Sequence, residues 1–242
     1  MNLLTTVAAT AAVAQDSLMV LTEPVQESIN VLDMAVKGGW IMVVLALLSI
    51  VGVYVFFERL AVIRGAMKKN PYMMDRLHDN LKDKDVKSAL NYCHKQGTPL
   101  SRVLEKGIKA YEFSTAYIRK AMDNSAGFEI AKLEKGFPVL STIAAVGPMI
   151  GFLGTVTGMV QAFWEMSNAG NNIDVSLLAG GIYEAMVTTV GGLIVGIVSI
   201  FAYNYLVSLV DKVQNDIEGE IIAFIEIASE LKEKNNPSSA EK

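Results

Sequence analysis

The chain has 242 residues, of which 52% are apolar and 19% are charged, so it is too apolar for an ordinary soluble domain of this length. Its formal net charge of −4 argues against a nucleic-acid partner. The single cysteine excludes an intrachain disulfide and a cysteine-rich metal site, and we expect neither a metal nor a cofactor.

Residues 1–37 precede the first long apolar run and are expected to lie on the outer side of a membrane. Residues 12–15 read Ala-Val-Ala-Gln, as at a signal-peptide cleavage site, but no positive charge precedes them. Four apolar residues recur at helical spacing further on: Val25, Ile29, Leu32 and Val36. They predict an amphipathic helix over residues 24–36 that lies along the membrane interface or packs on its own loop.

Three apolar runs predict three transmembrane helices, because about 20 helical residues cross a hydrocarbon core of about 30 Å. The runs cover residues 38–57, 137–164 and 176–210. The second and third are longer than one bilayer needs, so we expect continuous helices that tilt or project beyond the membrane. The predicted fold is an all-α membrane protein in which two of the three transmembrane helices extend into a cytoplasmic helical bundle.

The orientation follows from lysine and arginine. Residues 58–136 hold most of the chain's 21 basic residues, whereas the loop of residues 165–175 holds none. The positive-inside rule therefore predicts that residues 58–136 form a cytoplasmic helical domain. Residues 1–37 and the loop then face outward, and residues 211–242 form a cytoplasmic helix and tail.

Residues 58–136 and the stretch after the third span show helical periodicity and no strand alternation. Gly97, Thr98 and Pro99 predict a helix end, a capping threonine and a proline at the first position of the next helix. Apolar stripes follow at helical spacing: Leu100, Val103, Leu104, Ile108 and Tyr111; Ile118, Met122 and Phe128; and Leu206, Val210, Val213, Ile217, Ile221, Ile225, Ala228 and Leu231. They predict helices in residues 58–136 and a helix that continues unbroken beyond the third span.

Small residues follow one face of the second predicted span, at steps of three and four: Gly147, Gly151, Gly154, Thr155 and Gly158. Such a stripe favours close packing between membrane helices, and we expect Gly192 of the third span to take part. We also expect the stripe to contribute contacts between the subunits of a homo-oligomer.

Glu184 is the only charged residue between Leu177 and Val210. A carboxylate in hydrocarbon is costly, so an intramembrane acid indicates a function by default. In apolar surroundings it can hold a proton near neutral pH and release it when water or a cation arrives. The alternative is a structural hydrogen bond between helices.

Three hydroxyls accompany this acid. Thr188 lies one turn from Glu184 on the same helix face, whereas Thr189 points well to the side, and Thr155 of the second span could meet Glu184. Together they predict a polar track, although each threonine could instead bond its own backbone carbonyl. One acid per chain favours several copies around a shared path.

Two segments resemble the signature spans of the ExbB/TolQ/MotA proton-channel family, most closely ExbB. They are residues 145–158 and 181–195, supported by Phe57-Glu58-Arg59-Leu60 and Tyr203-Asn204. The resemblance implies that Thr155, Glu184 and Thr189 line the proton path, whereas helical spacing alone favours Thr188. The chain departs from the ExbB and TolQ pattern at Ile197-Val198-Ser199, where a proline usually stands, and its three spans disfavour a flagellar stator.

The resemblance further implies a multi-pass protein of the bacterial inner membrane, with a periplasmic N-terminus and a cytoplasmic C-terminus. It implies a ring of five subunits among membrane lipids, around a dimer of an ExbD-like single-span partner. Proton flow would energise outer-membrane transport through a TonB-like protein. The alternatives are a TolQ-like envelope-maintenance or gliding-type motor subunit, and a non-conducting scaffold. No nucleotide-binding, metalloprotease or nucleophile–base motif is present, so we do not expect an enzyme.

Overall fold

The computed structural model describes residues 38–68, 70–168 and 175–235. The amphipathic helix predicted over residues 24–36, most of the loop of residues 165–175 and the tail after residue 235 lie outside the described residues.

Within the described residues, the chain forms seven helices and no strands: α1 (Gly39–Ala66), α2 (Met73–Lys82), α3 (Val86–Gln96), α4 (Pro99–Lys109), α5 (Thr115–Leu133), α6 (Phe137–Asn168) and α7 (Val175–Asn235). Three of them, α1, α6 and α7, are long and apolar enough to cross a membrane. The predicted all-α membrane fold with three spans is therefore confirmed.

Helix α7 carries the extension predicted for the third span, since it runs unbroken for 61 residues. The second span is different. Helix α6 begins at Phe137 and is separated from α5 by a turn in which Gly136 has a φ of +95°. That conformation is open to glycine and rarely to other residues. The chain is therefore helical on both sides of residue 136, but α5 and α6 are two separate helices.

The short helices begin and end where the local sequence predicts. Three of them start at a residue whose side chain accepts a backbone hydrogen bond: Asp85 from Ser88 (3.0 Å), Thr98 from Ser101 (3.2 Å) and Ser114 from Tyr117 (3.3 Å). Gly97 ends α3 with a φ of +62°, and Pro99 occupies the first turn of α4. The break predicted at Gly97-Thr98-Pro99 is confirmed, with Gly97 ending α3 and Thr98 capping the start of α4.

The bundle core forms where the second half of α7 packs against α2, α4 and α5. Most of the predicted stripes are buried there: Val103, Leu104, Ile108, Ile118, Met122, Leu206, Val210, Val213, Ile217, Ile221, Ala228 and Leu231. Phe224 is also fully buried, and Gly107 makes room for it, since a Cβ there would lie 2.8 Å from Phe224 Cε1. The core therefore holds the extension of α7 against the short helices.

Phe128 lies in α5, which confirms the predicted helical pattern, but its side chain is 73% exposed. Phe128 follows Met122 by six residues, which is about 240° around a helix. Ile130 takes the buried position instead.

A buried ion pair joins α4 to α5. Glu129 is 5% exposed and accepts hydrogen bonds from Arg102 Nε (2.8 Å) and Lys132 Nζ (2.6 Å). Burial opposes ionisation of this carboxyl, but the two bonds outweigh burial and hold the pKa of Glu129 below its ordinary value. The Arg102 bond to Glu129 therefore links α4 to α5 through charge.

Candidate functional site in the membrane helices

The small residues of α6 pack directly against α7. A Cβ on Gly151 would lie 2.8 Å from the Thr188 carbonyl oxygen, and a Cβ on Gly192 would lie 2.6 Å from the Gly147 carbonyl oxygen. A Cβ on Gly158 would lie 3.1 Å from the Ala185 Cβ, while one on Gly154 would meet the Thr188 side chain. The two helix backbones can approach this closely because glycine has no side chain to hold them apart.

The stripe therefore packs against α7 of the same chain. Gly147, Gly151, Gly154 and Gly192 are buried within the single chain. Thr155 and Gly158 are only half-buried, and the expected contribution of the stripe to contacts between subunits stays a prediction.

Pro148 adds a contact that sequence reasoning missed. It lies inside α6, where its ring leaves the Ala144 carbonyl without the usual N–H partner four residues later. A Cβ on Gly196 would lie 2.7 Å from Pro148 Cδ and 3.0 Å from that carbonyl oxygen. Gly196 of α7 thus packs where α6 has lost a backbone bond.

Three hydroxyls meet around one backbone carbonyl between α6 and α7. Thr155 Oγ1 and Thr189 Oγ1 are hydrogen-bonded to each other, and each lies 3.2 Å from the Gly151 carbonyl oxygen. Thr188 Oγ1 lies 3.3 Å from the same oxygen. A hydroxyl carries one proton and two lone pairs, so one threonine of the pair can donate to the other while the second donates to Gly151.

Thr188 and Thr189 differ in burial and in their hydrogen-bond partners. Thr188 is 2% exposed and donates to the Ala185 carbonyl of its own helix at 2.7 Å. It packs against Gly154, as expected for a membrane threonine that satisfies its backbone. Thr189 is half-buried, like Thr155. Thr155 and Thr189 are therefore less deeply buried than Thr188.

Glu184 lies on a different side of α7. Its side chain is exposed in the single chain, and its carboxylate lies over the start of α1. A Cβ on Gly39 would lie 2.5 Å from Glu184 Oε1 and 3.7 Å from Cδ. Two turns further along α7, Gly191 also faces α1, since a Cβ there would lie 3.0 Å from Met42 Sδ.

The expected meeting of Thr155 with Glu184 is not found, because the hydroxyl that contacts Thr155 is that of Thr189. Thr189 follows Glu184 by five residues, which is about 140° around the helix. The carboxylate thus lies on the α1 side of α7, and the hydroxyl pair lies at the contact with α6. Helical spacing predicts that Glu184 and Thr189 lie on different faces of α7, but it does not predict which neighbouring helix each face contacts.

No group of three or more His, Cys, Asp or Glu side chains in residues 38–68, 70–168 and 175–235 is placed to hold an ion. Between Leu177 and Val210, α7 presents the Glu184 carboxylate, and α6 and α7 present threonine hydroxyls, which are groups that can take up and pass on a proton.

The family described as the MotA/TolQ/ExbB proton channel family matches residues 95–219, just over half of the chain. The putative biopolymer transport protein ExbB-like 1 of Synechocystis sp. is 33% identical over 183 residues, which are 74% of this chain and 72% of that protein. The Tol-Pal system protein TolQ of Haemophilus influenzae is 29% identical over 217 residues, 82% of this chain and 93% of that protein.

A biopolymer transport protein ExbB of Neisseria meningitidis is 28% identical over 180 residues, which are 69% of this chain and 80% of that protein. The family match covers α4, α5, α6 and most of α7, and it includes Thr155, Glu184 and Thr189. The chain therefore belongs to the MotA/TolQ/ExbB proton channel family.

Proposed function

We propose that this protein is the proton-conducting subunit of an inner-membrane motor of the ExbB–ExbD type, which uses proton motive force to energise TonB-dependent outer-membrane transport. The observation that carries the proposal is Glu184, a lone carboxylate in the apolar part of α7. Intramembrane acids of this kind are expensive to keep and mark ion pathways. The names of the Synechocystis and Neisseria relatives support the assignment to biopolymer transport.

In this mechanism Glu184 takes up a proton from one side of the membrane and releases it toward the other. Thr155 and Thr189 are hydrogen-bonded hydroxyls that can each accept and donate, so they can extend the path. Thr188 is held by its own helix and contributes to packing. The hydroxyl contact depends on the close approach of α6 and α7, which glycines such as Gly151 and Gly192 allow.

The arrangement also supports a homo-oligomer, which we propose is a pentamer. Within one chain, the Glu184 carboxylate and the threonine pair lie on different sides of α7. A continuous path therefore requires a second copy or a partner helix to bring such groups together. We propose that an ExbD-like single-span dimer occupies the central pore and passes its motion to a TonB-like protein.

Exposed apolar side chains on α6 and α7 fit this assembly. Large residues exposed in the single chain include Met149, Phe152, Val160, Phe163, Met186, Leu193, Ile197 and Phe201. Apolar surface of this extent needs cover from lipid tails, from neighbouring copies or from a partner span. We propose that membrane lipids and subunit contacts share it.

For the orientation, we propose that α2–α5 and the second half of α7 lie in the cytoplasm, with the N-terminus in the periplasm. The support is the lysine and arginine content of residues 58–136 compared with the loop of residues 165–175.

A TolQ-like role in envelope maintenance is the second candidate, because the Haemophilus TolQ matches this chain over 93% of its own length. A gliding-type motor subunit and a non-conducting scaffold are further alternatives. A neighbouring gene for a small single-span protein with an aspartate in its span would favour a motor over a scaffold.

The direct test is proton flux through the purified complex with its single-span partner, reconstituted in liposomes under an imposed pH gradient. We expect flux in the wild-type complex and none in Glu184→Gln at equal complex yield. Equal flux in the wild-type and Glu184→Gln complexes would overturn the proposed role of Glu184 as the proton carrier.

A further inference from the structure

We infer that Gly39 is a positioning residue for the Glu184 carboxyl, because the start of α1 leaves a space above the Gly39 backbone that only a residue without a side chain preserves. This inference rests on the proposed function, since it assigns to α1 the placement of the group proposed to carry the proton.

Two observations single out Gly39, one in its backbone and one in its contact with Glu184. Its φ is +62°, a conformation that L side chains rarely adopt. A Cβ there would also lie 2.5 Å from Glu184 Oε1, so the carboxylate at the end of that flexible side chain would have to move aside. The second observation is specific to Glu184, because its Oε1 and Cδ are the atoms of the described residues outside Gly39's own stretch of chain that lie within 4 Å of that Cβ.

The start of α1 also has the chemistry that attracts a carboxylate. The first N–H groups of a helix lack intrahelical partners, and the helix dipole places partial positive charge there. Helix α1 supplies no acid in its own first turn, and its N-cap, Gly38, makes no side-chain capping bond. Glu184 brings a negative group from α7 to this end of α1.

The consequence is that α1 controls where the carboxyl lies. Gly39 is exposed, so it is not a core-packing glycine like those of α6. Further along the same contact, Met42 packs over Gly191 of α7, so α1 and α7 are in register beside Glu184. A side chain at position 39 would push the carboxyl away from α1 without altering the contact between α6 and α7.

The test compares two glycines with the same backbone strain. Gly97 also has a φ of +62°, but a Cβ there would meet nothing within 4 Å. Gly97→Ala therefore reproduces the strain without the contact, whereas Gly39→Ala adds both. Gly39→Asn is the second variant, because asparagine tolerates positive φ better than alanine, and it carries the test if Gly39→Ala does not assemble.

The first readout is modification of Glu184 by a hydrophobic carbodiimide in the assembled wild-type and variant complexes, measured by mass spectrometry. We expect the labelling rate to change severalfold in Gly39→Ala and Gly39→Asn and to stay at the wild-type value in Gly97→Ala. Unchanged labelling in both position-39 variants would overturn the inference. This readout reports the place of the carboxyl whether or not the protein conducts, so its failure is distinct from failure of the proposed function.

The second readout is proton flux in a double-mutant cycle with Glu184→Asp, whose carboxyl is shorter by one methylene. We expect Gly39→Ala to lower flux about tenfold in the Glu184 background, since a small misplacement of a reacting group is costly. In the Glu184→Asp background the same change should cost less than about twofold, because the contact is relieved. Equal fold-losses in both backgrounds would show that position 39 does not act through Glu184.

Discussion

The hydroxyl of Thr155 on α6 is hydrogen-bonded to the hydroxyl of Thr189 on α7, and each lies 3.2 Å from the Gly151 carbonyl oxygen. Thr188, one residue earlier, is buried and donates to its own helix. These adjacent threonines on α7 therefore differ in burial and in bonding partner, so Thr188 can serve as the control for Thr189.

Thr189→Val and Thr155→Val should each lower proton flux by tenfold or more, because valine keeps the shape and removes the hydroxyl. Thr188→Val should leave flux within about twofold and should cost about 1 kcal/mol of stability through the lost bond to Ala185. Flux through reconstituted complexes and thermal unfolding in detergent measure the two effects. A larger loss of flux for Thr188→Val than for Thr189→Val would contradict this assignment.

Gly151→Ala should destabilise the protein, because the new methyl group would lie 2.8 Å from the Thr188 carbonyl oxygen and must separate α6 from α7. Gly219→Ala is the matched control, since a Cβ there meets nothing within 4 Å. In the control, helix propensity should raise stability by about 0.5–1 kcal/mol. Opposite shifts of the unfolding midpoint in detergent are expected, and a parallel rise in both variants would contradict the close packing.

Glu129→Gln should weaken the bundle by about 1–2 kcal/mol at neutral pH, a modest figure because Arg102 and Lys132 are partly exposed. The effect should depend on pH. The pKa of Glu129 is lowered in the folded state, so its contribution is fully present above the unfolded-state value of about 4.3 and is lost as pH falls through the folded value. Denaturation of wild type and variant should therefore converge only below about pH 4. A difference that persists undiminished at pH 2–3 would exclude the ion pair as its cause.

Cysteine labelling should establish the orientation with little background. Burial raises the pKa of Cys93 to about 12, with a smaller contribution from Glu105, so the native thiol should not react at neutral pH. A membrane-impermeant maleimide should reach Asn171→Cys from outside spheroplasts and should reach Lys84→Cys only after lysis. Labelling of Lys84→Cys in intact spheroplasts would reverse the proposed topology.

Sequence patterns predicted the helices and their ends well, because apolar runs, caps and glycine breaks act locally. Gly97, for example, ends α3 through its own positive φ, and Thr98 caps α4 by accepting a hydrogen bond from the backbone N–H of Ser101. Contacts between distant helices were harder to predict. Nothing local to Glu184 indicates Gly39 as its neighbour, and spacing alone favoured Thr188 over Thr189. Family resemblance named Thr155 and Thr189, and in the structure their hydroxyls are bonded to each other beside the Gly151 carbonyl.

The central claim, that Glu184 carries the proton, is tested most directly by siderophore uptake in cells that carry Glu184→Gln or Glu184→Asp, with complex yield measured in parallel. Glutamine keeps the shape and hydrogen bonding but cannot titrate, whereas aspartate titrates with a shorter reach. We expect glutamine to abolish energy-dependent uptake at normal complex yield and aspartate to retain part of it. Normal uptake with Glu184→Gln would contradict the proton-carrier role.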